Sequence, residues 1–204
     1  LKFDNEQIVS FCGAKVGGTI RVFVITMGRG DVYPGLSPSD YNCYRNVYRI
    51  TNPQNPGSAW TRISPTSGSG DFMFAACARN SIDTVYIAGG NNGNPVVYRS
   101  DDRGGSGQSV LNTSSTQNVA TGWSGYGGDR GWGYGEYAFG LGVAPNDPDK
   151  IMLTDMGFIH ASDSGGQSWQ GVYVHPGDRN PTGSPTPQKQ FYRGNGLEDT
   201  SCWW

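Results

Sequence analysis

Val22-Phe23-Val24-Ile25-Thr26, Val85-Tyr86-Ile87-Ala88-Gly89 and Ile151-Met152-Leu153-Thr154-Asp155 are three short apolar runs that can be laid over one another. Each precedes a second run, Val47-Tyr48-Arg49-Ile50, Val97-Tyr98-Arg99-Ser100 and Ile159-His160-Ala161-Ser162 respectively. Between Val22 and Val85 the interval is 63 residues, and between Val85 and Ile151 it is 66. A unit of short strands recurring at such an interval predicts an all-β fold made of β-propeller blades.

Working outward, each unit opens on a strand of small and apolar residues: 8–12, 72–77 and 137–143. Small side chains suit the crowded axis of a propeller. Turn-forming segments follow, clearest in Ala144-Pro145-Asn146-Asp147-Pro148-Asp149-Lys150. The fourth strands are expected at 59–63, weakly at 109–111, and at 168–173. Four strands per unit give blades over 8–64, 72–111 and 137–174, with 200–204 as the start of another, all within one domain. About three blades leave the ring incomplete. The rest of a larger propeller, or other copies of the chain, is therefore expected to cover the open ends, including the apolar Cys202-Trp203-Trp204.

The composition agrees with many strands and turns. Of 204 residues, 32 are Gly and 12 are Pro, only 16% are charged, and 35% hydrophobic content argues against disorder. A net charge of −2 provides no basic surface for phosphate, so nucleic acid is not an expected partner. No run of 18 apolar residues exists, so no membrane span is expected. Four Lys against eleven Arg, many Asn, Ser and Thr, and a glycosylation sequon at Asn112-Thr113-Ser114 lean toward a secreted or cell-surface protein. Cys12 and Cys77 sit in apolar runs and read as small buried hydrophobes, as does Cys202, whereas Cys43 lies among polar residues and could pair with another. With no CxxC, no Cys/His cluster and only His160 and His175, neither a metal nor a cofactor is expected.

The turn Ser162-Asp163-Ser164-Gly165-Gly166-Gln167-Ser168-Trp169 resembles the Asp-box, the Ser-x-Asp-x-Gly-x-Thr-Trp hairpin of sialidases, family 74 xyloglucanases and sortilin-like BNR-repeat propellers. Ser100-Asp101-Asp102-Arg103-Gly104 matches its first half. In unit three Ser164 stands where the family places the Asp and Asp163 falls one residue early. In unit two an insertion is expected after Gly104, and unit one keeps only Trp60. The resemblance implies a structural role for Ser100, Asp102, Gly104, Ser162, Asp163, Gly166 and Trp169. Ser and Asp side chains accept from the turn's N–H groups, Gly takes a positive φ, and Trp covers the loop.

Function is expected on the opposite end of the blades. There the segments 28–46, 112–136 and 175–200 are far longer than ordinary connections. Trp123, Tyr126, Trp132 and Tyr134 lie among glycines, a composition suited to stacking on the faces of sugar rings or to folding the loop on itself. Asp155 ends its strand where the other units have Thr26 and Gly89, so the repeat does not require an acid there. Its context, Leu153-Thr154-Asp155-Met156-Gly157, is similar to the segment carrying a catalytic Asp in family 74 hydrolases, although Leu153 and Phe158 depart from that pattern. Asp31, Asp129 and Glu136 are candidate partners for a two-carboxylate hydrolysis.

Two other chemistries have candidates. A sialidase would draw on Arg29, Arg45, Arg130 and Arg193, while a lyase, or glycan contact, would draw on His160. The resulting expectation is a glycoside hydrolase-like propeller acting on a polysaccharide, with Asp155, Asp31 and Glu136 as catalytic candidates. The alternative is a non-catalytic carbohydrate- or protein-binding propeller in a cell-surface or extracellular assembly.

Overall fold

A computed structural model describes residue 3 and residues 6–27, 44–65, 71–91, 94–112, 140–155 and 158–171. Within these, twelve strands form three four-stranded antiparallel sheets, and no helix is present. The first sheet holds β1 (Gln7–Val16), β2 (Thr19–Met27), β3 (Tyr44–Thr51) and β4 (Thr61–Ile63). The second holds β5 (Asp71–Ala76), β6 (Val85–Asn91), β7 (Asn94–Ser100) and β8 (Gln108–Asn112). The third holds β9 (Gly140–Val143), β10 (Ile151–Asp155), β11 (Phe158–Ser162) and β12 (Gln170–Gly171). Every sheet is an up-and-down meander in chain order. Each is a propeller blade, and the described residues do not close a ring.

The packing of the blades explains why their central strands are continuously apolar. On β6, Val85 and Ile87 join Phe23, Ile25 and Val47 of the first sheet and Ala75 in one buried cluster. The alternate residues, Tyr86 and Ala88, join Val97, Leu111 and, from the third sheet, Ile151, Leu153 and Trp169 in another. Successive side chains of a strand point to opposite faces, so a strand buried on both faces cannot alternate apolar with polar. Val85, Tyr86, Ile87 and Ala88 are all wholly inaccessible. By contrast, β1 leaves Phe11 73% exposed, together with Ile8, Val9 and Val16.

A second repeated device binds the blades at the end where the β1–β2, β5–β6 and β9–β10 turns lie. Arg21, with its side chain only 7% exposed, reaches Asp83 in the next blade's turn at 2.6 Å and also donates to the Ile82 carbonyl. Arg99 likewise reaches Asp149 of the third blade at 2.5 Å. Within the second and third blades the turns that carry these acids are also tied to the hairpin of their own blade, Arg103 N–H donating to the Asp83 carbonyl and Gly165 N–H to the Asp149 carbonyl, both at 2.9 Å. Burial lowers the Arg99 pKa, but the hydrogen bonds it donates to Asp101 and Asp149 outweigh it, and the net shift is upward. Tyr86 adds a bond from its hydroxyl to the Pro148 carbonyl at 2.7 Å and accepts one from Arg99.

Some details differ from the sequence reading. The weak fourth strand expected at 109–111 is the five-residue β8, longer than β4 or β12. Its Val110 and Leu111 are drawn inward by the second cluster. Strand β3 starts at Tyr44, so residues 44–46, expected in a long connection, belong to the sheet. One irregularity recurs. The register of β1 shifts between Ile8 and Ser10 and that of β5 between Phe72 and Phe74, a bulge at matching places in two innermost strands.

Replacing Tyr86 by Phe removes two hydrogen bonds at the second junction without changing the volume of the ring. The expected loss is about 1–2 kcal/mol, read from the urea midpoint at constant slope.

Candidate functional site

The hairpins joining the third and fourth strands are alike in the second and third blades. In the second, the Ser100 hydroxyl accepts from Gly104 N–H at 2.9 Å and donates to Asp102 at 2.8 Å. Asp102 in turn accepts from the Ser106 N–H at 2.8 Å and the Ser106 hydroxyl at 2.7 Å. In the third, Ser162 accepts from Gly166 N–H at 2.9 Å, and Ser164 accepts from Ser168 N–H at 3.0 Å. Gly104 and Gly166 hold φ at +82° and +89°, which a side chain would resist. Ser164 therefore makes the bonds that Asp102 makes, while Asp163 is exposed and takes no part among the hydrogen bonds described.

The expected insertion after Gly104 is absent. Both turns run seven residues between strands, 101–107 and 163–169, and Gly107 occupies the place of Trp169. A Cβ on Gly107 would fall 1.6 Å from the Pro65 carbonyl oxygen, so the approach of the first blade leaves no room for an indole. Trp169 is buried and donates its Nε1–H to the Val110 carbonyl of the second blade at 2.8 Å. Trp60, in the first blade, instead packs edge-on against Phe3, which also meets Tyr48.

These hairpins and the Arg–Asp contacts occupy one end of the sheets. Asp155 lies at the other, as the last residue of β10, paired through its backbone with Phe158 across a two-residue connection. Its side chain is outside what the structure describes, as are Asp31, Asp129, Glu136, Trp123, Tyr126, Trp132 and Tyr134. Also outside are Cys43, Cys202, Arg29, Arg130 and Arg193, the side chain of Arg45, the sequon residues 113–114, and segments 137–139, 172–174 and 200–204. His160 is described and is wholly buried on β11, between Leu153 of β10 and Gly171 of β12. As placed, it is a packed residue with no access to a polymer.

The sequence reading passed over one acid at the Asp155 end. Glu6, immediately before β1, accepts from the buried Thr26 hydroxyl and from Asn46 Nδ2, each at 2.5 Å. Thr26 is the first-blade residue that aligns with Asp155, so Glu6 lies over the corresponding strand end. Asn46 Oδ1 is buried there without a hydrogen-bond partner among the described residues. The only sequence signal was an acid one residue ahead of an apolar strand, which is too common to single out.

Elsewhere, the face of the third sheet left uncovered by the described residues forms an apolar concavity of about 760 Å³, lined in part by Gly142, Val143, Met152 and Ala161. Among the described residues, no group of three or more His, Cys, Asp or Glu could hold a metal ion. No helix is long and apolar enough to cross a membrane there either.

No family model and no curated protein matches this chain. Fourteen chains of solved structures do. One is the crystal structure of a GH74 enzyme from Niastella koreensis, 15% identical, with a TM-score of 0.50. The match covers 84% of this chain but 22% of that one, so the chain spans about a fifth of the GH74 protein's length. At this identity the likeness establishes the fold, a set of propeller blades.

The hairpins give a pH signature. Hydrogen bonds from Ser106 N–H, then from the Ser106 and Ser100 hydroxyls, lower Asp102 from 3.8 to about 2. A depressed carboxylate stabilises the fold fully above its unfolded pKa and loses that contribution as pH falls through the folded one. The melting temperature of the wild type should therefore approach that of Asp102→Asn as pH drops from about 4 to about 2. A constant gap over that window would contradict the assignment.

Proposed function

We propose that this chain is part of a secreted, carbohydrate-active propeller that hydrolyses a β-linked polysaccharide, with Asp155 as one of two catalytic carboxyl groups. The serine-anchored hairpins are read as Asp-boxes, structural rather than catalytic. The observation that carries the reading is the position of Asp155. It closes the central strand β10 at the end of the sheet remote from those hairpins, where no packing requirement of the repeat calls for an acid. The likeness of fold to a GH74 enzyme supports the same class of chemistry.

In such a reaction one carboxylic acid protonates the glycosidic oxygen as the bond breaks, and one carboxylate takes a proton from the water that attacks the sugar carbon. An inverting enzyme holds the two about 6.5–9.5 Å apart. Asp31 and Glu136 are partners proposed from the sequence, and Glu6 joins them because it is held by Thr26 and Asn46 at the same end of the sheets. Trp123, Tyr126, Trp132 and Tyr134 would supply flat rings for the polymer. The apolar concavity on the third sheet is read as the seat of a further blade, since both other junctions bury apolar faces of this kind.

The test is turnover on a panel of β-linked polysaccharides. Asp155→Asn should reduce kcat by about 10²–10⁴-fold while polymer binding persists, and Glu6→Gln, Asp31→Asn and Glu136→Gln compared alongside should identify the partner. Unchanged turnover in Asp155→Asn would remove that residue from the reaction. Polymer binding with no hydrolysis by the wild type would favour a binding module.

A further inference from the structure

Two thiols meet where the first and second blades join. Cys12 lies on β1 opposite Phe23 of β2 and packs on the cluster that Phe23, Ile25 and Val47 share with Ala75, Val85 and Ile87. Cys77 directly follows β5. These innermost strands lie side by side, and their alignment is fixed by a contact two residues earlier. Ala75 N–H donates to the Ser10 hydroxyl at 3.1 Å, across a separation of 65 residues.

Cys12 and Cys77 have the same separation as Ser10 and Ala75, each one two-residue step further along its strand. Two steps restore the same side-chain direction on a strand, so Cys12 and Cys77 take matching positions two residues beyond the Ser10–Ala75 contact. Each thiol is the other's hydrogen-bond partner. That bond, with burial, raises Cys12 well above the usual thiol range, and the same bond lowers Cys77. Cys77 is therefore the readier thiolate. Both are partly accessible.

We propose that Cys12 and Cys77 form a disulfide cross-link between the innermost strands of the first two blades. The oxidant is a small disulfide, such as glutathione disulfide. The Cys77 thiolate attacks one of its sulfurs and expels a thiolate, giving a mixed disulfide. Cys12 then loses its proton and attacks the Cys77 sulfur, expelling the second thiolate. Two protein thiols lose two hydrogens, and one small disulfide becomes two thiols. The link closes a loop that contains β2, β3, β4 and β5, and it restricts the unfolded chain more than a short loop would.

The test traps free thiols with an alkylating agent, both in the protein as isolated and after reduction and incubation with glutathione disulfide. Digestion without reductant and mass spectrometry then follow. The expected product is a peptide joining Cys12 to Cys77, two hydrogens lighter than its parts. The oxidised protein should melt about 5–10 °C above the reduced one. Cys12→Ala and Cys77→Ala should each abolish the response of the melting temperature to reductant. Recovery of both cysteines in alkylated form after the oxidant, or their pairing with Cys43 or Cys202 instead, overturns the proposal.

Discussion

The structure depends on one strand being buried from both sides. β6 gives Val85 and Ile87 to the first junction and Tyr86 and Ala88 to the second, so a single run of four residues anchors three sheets. With about 25 cal/mol gained per Å² of apolar surface removed from water, this strand contributes to both clusters at once. The remaining contacts of the blades follow from that arrangement. The middle of β6, from Val85 to Ala88, is closed to polar side chains because both of its faces are buried.

The two ends of the sheets have accordingly become different. At one, Arg21 and Arg99 bridge to Asp83 and Asp149 of the following blade, and serine-anchored hairpins satisfy their own backbone. The polar groups described at that end serve the joints between blades and the hairpins themselves. At the other, Thr26 and Asn46 turn their donors toward Glu6, and Asp155 stands at the close of its strand. Glu6 is held there by the first sheet without being consumed by the joints between blades.

Much of this was legible in the sequence because blade packing is periodic. The three runs at Val22, Val85 and Ile151 are the central strands, and the runs at Val47, Val97 and Ile159 are their neighbours, since burial on both faces writes a continuous apolar signal. Fourth strands were harder to read. β8 owes Val110 and Leu111 to contacts with the third blade, and no local pattern encodes a partner so distant in the chain. The supposed insertion after Gly104 was an artefact of seeking a Trp, where the structure has Gly107 against Pro65. Glu6 was missed for a related reason, its significance lying in Thr26 and Asn46, 20 and 40 residues away.

Gly107 has a consequence for how the two junctions are made. The second has an indole lying over the edge of the preceding blade, hydrogen-bonded to Val110, while the first has bare backbone against Pro65. The blades are thus fastened unequally, and the joint that lacks the aromatic peg is the one that carries Cys12 and Cys77. A repeat that seems uniform in its strands has different fittings at its seams, and chemistry can act at the plainer of the two.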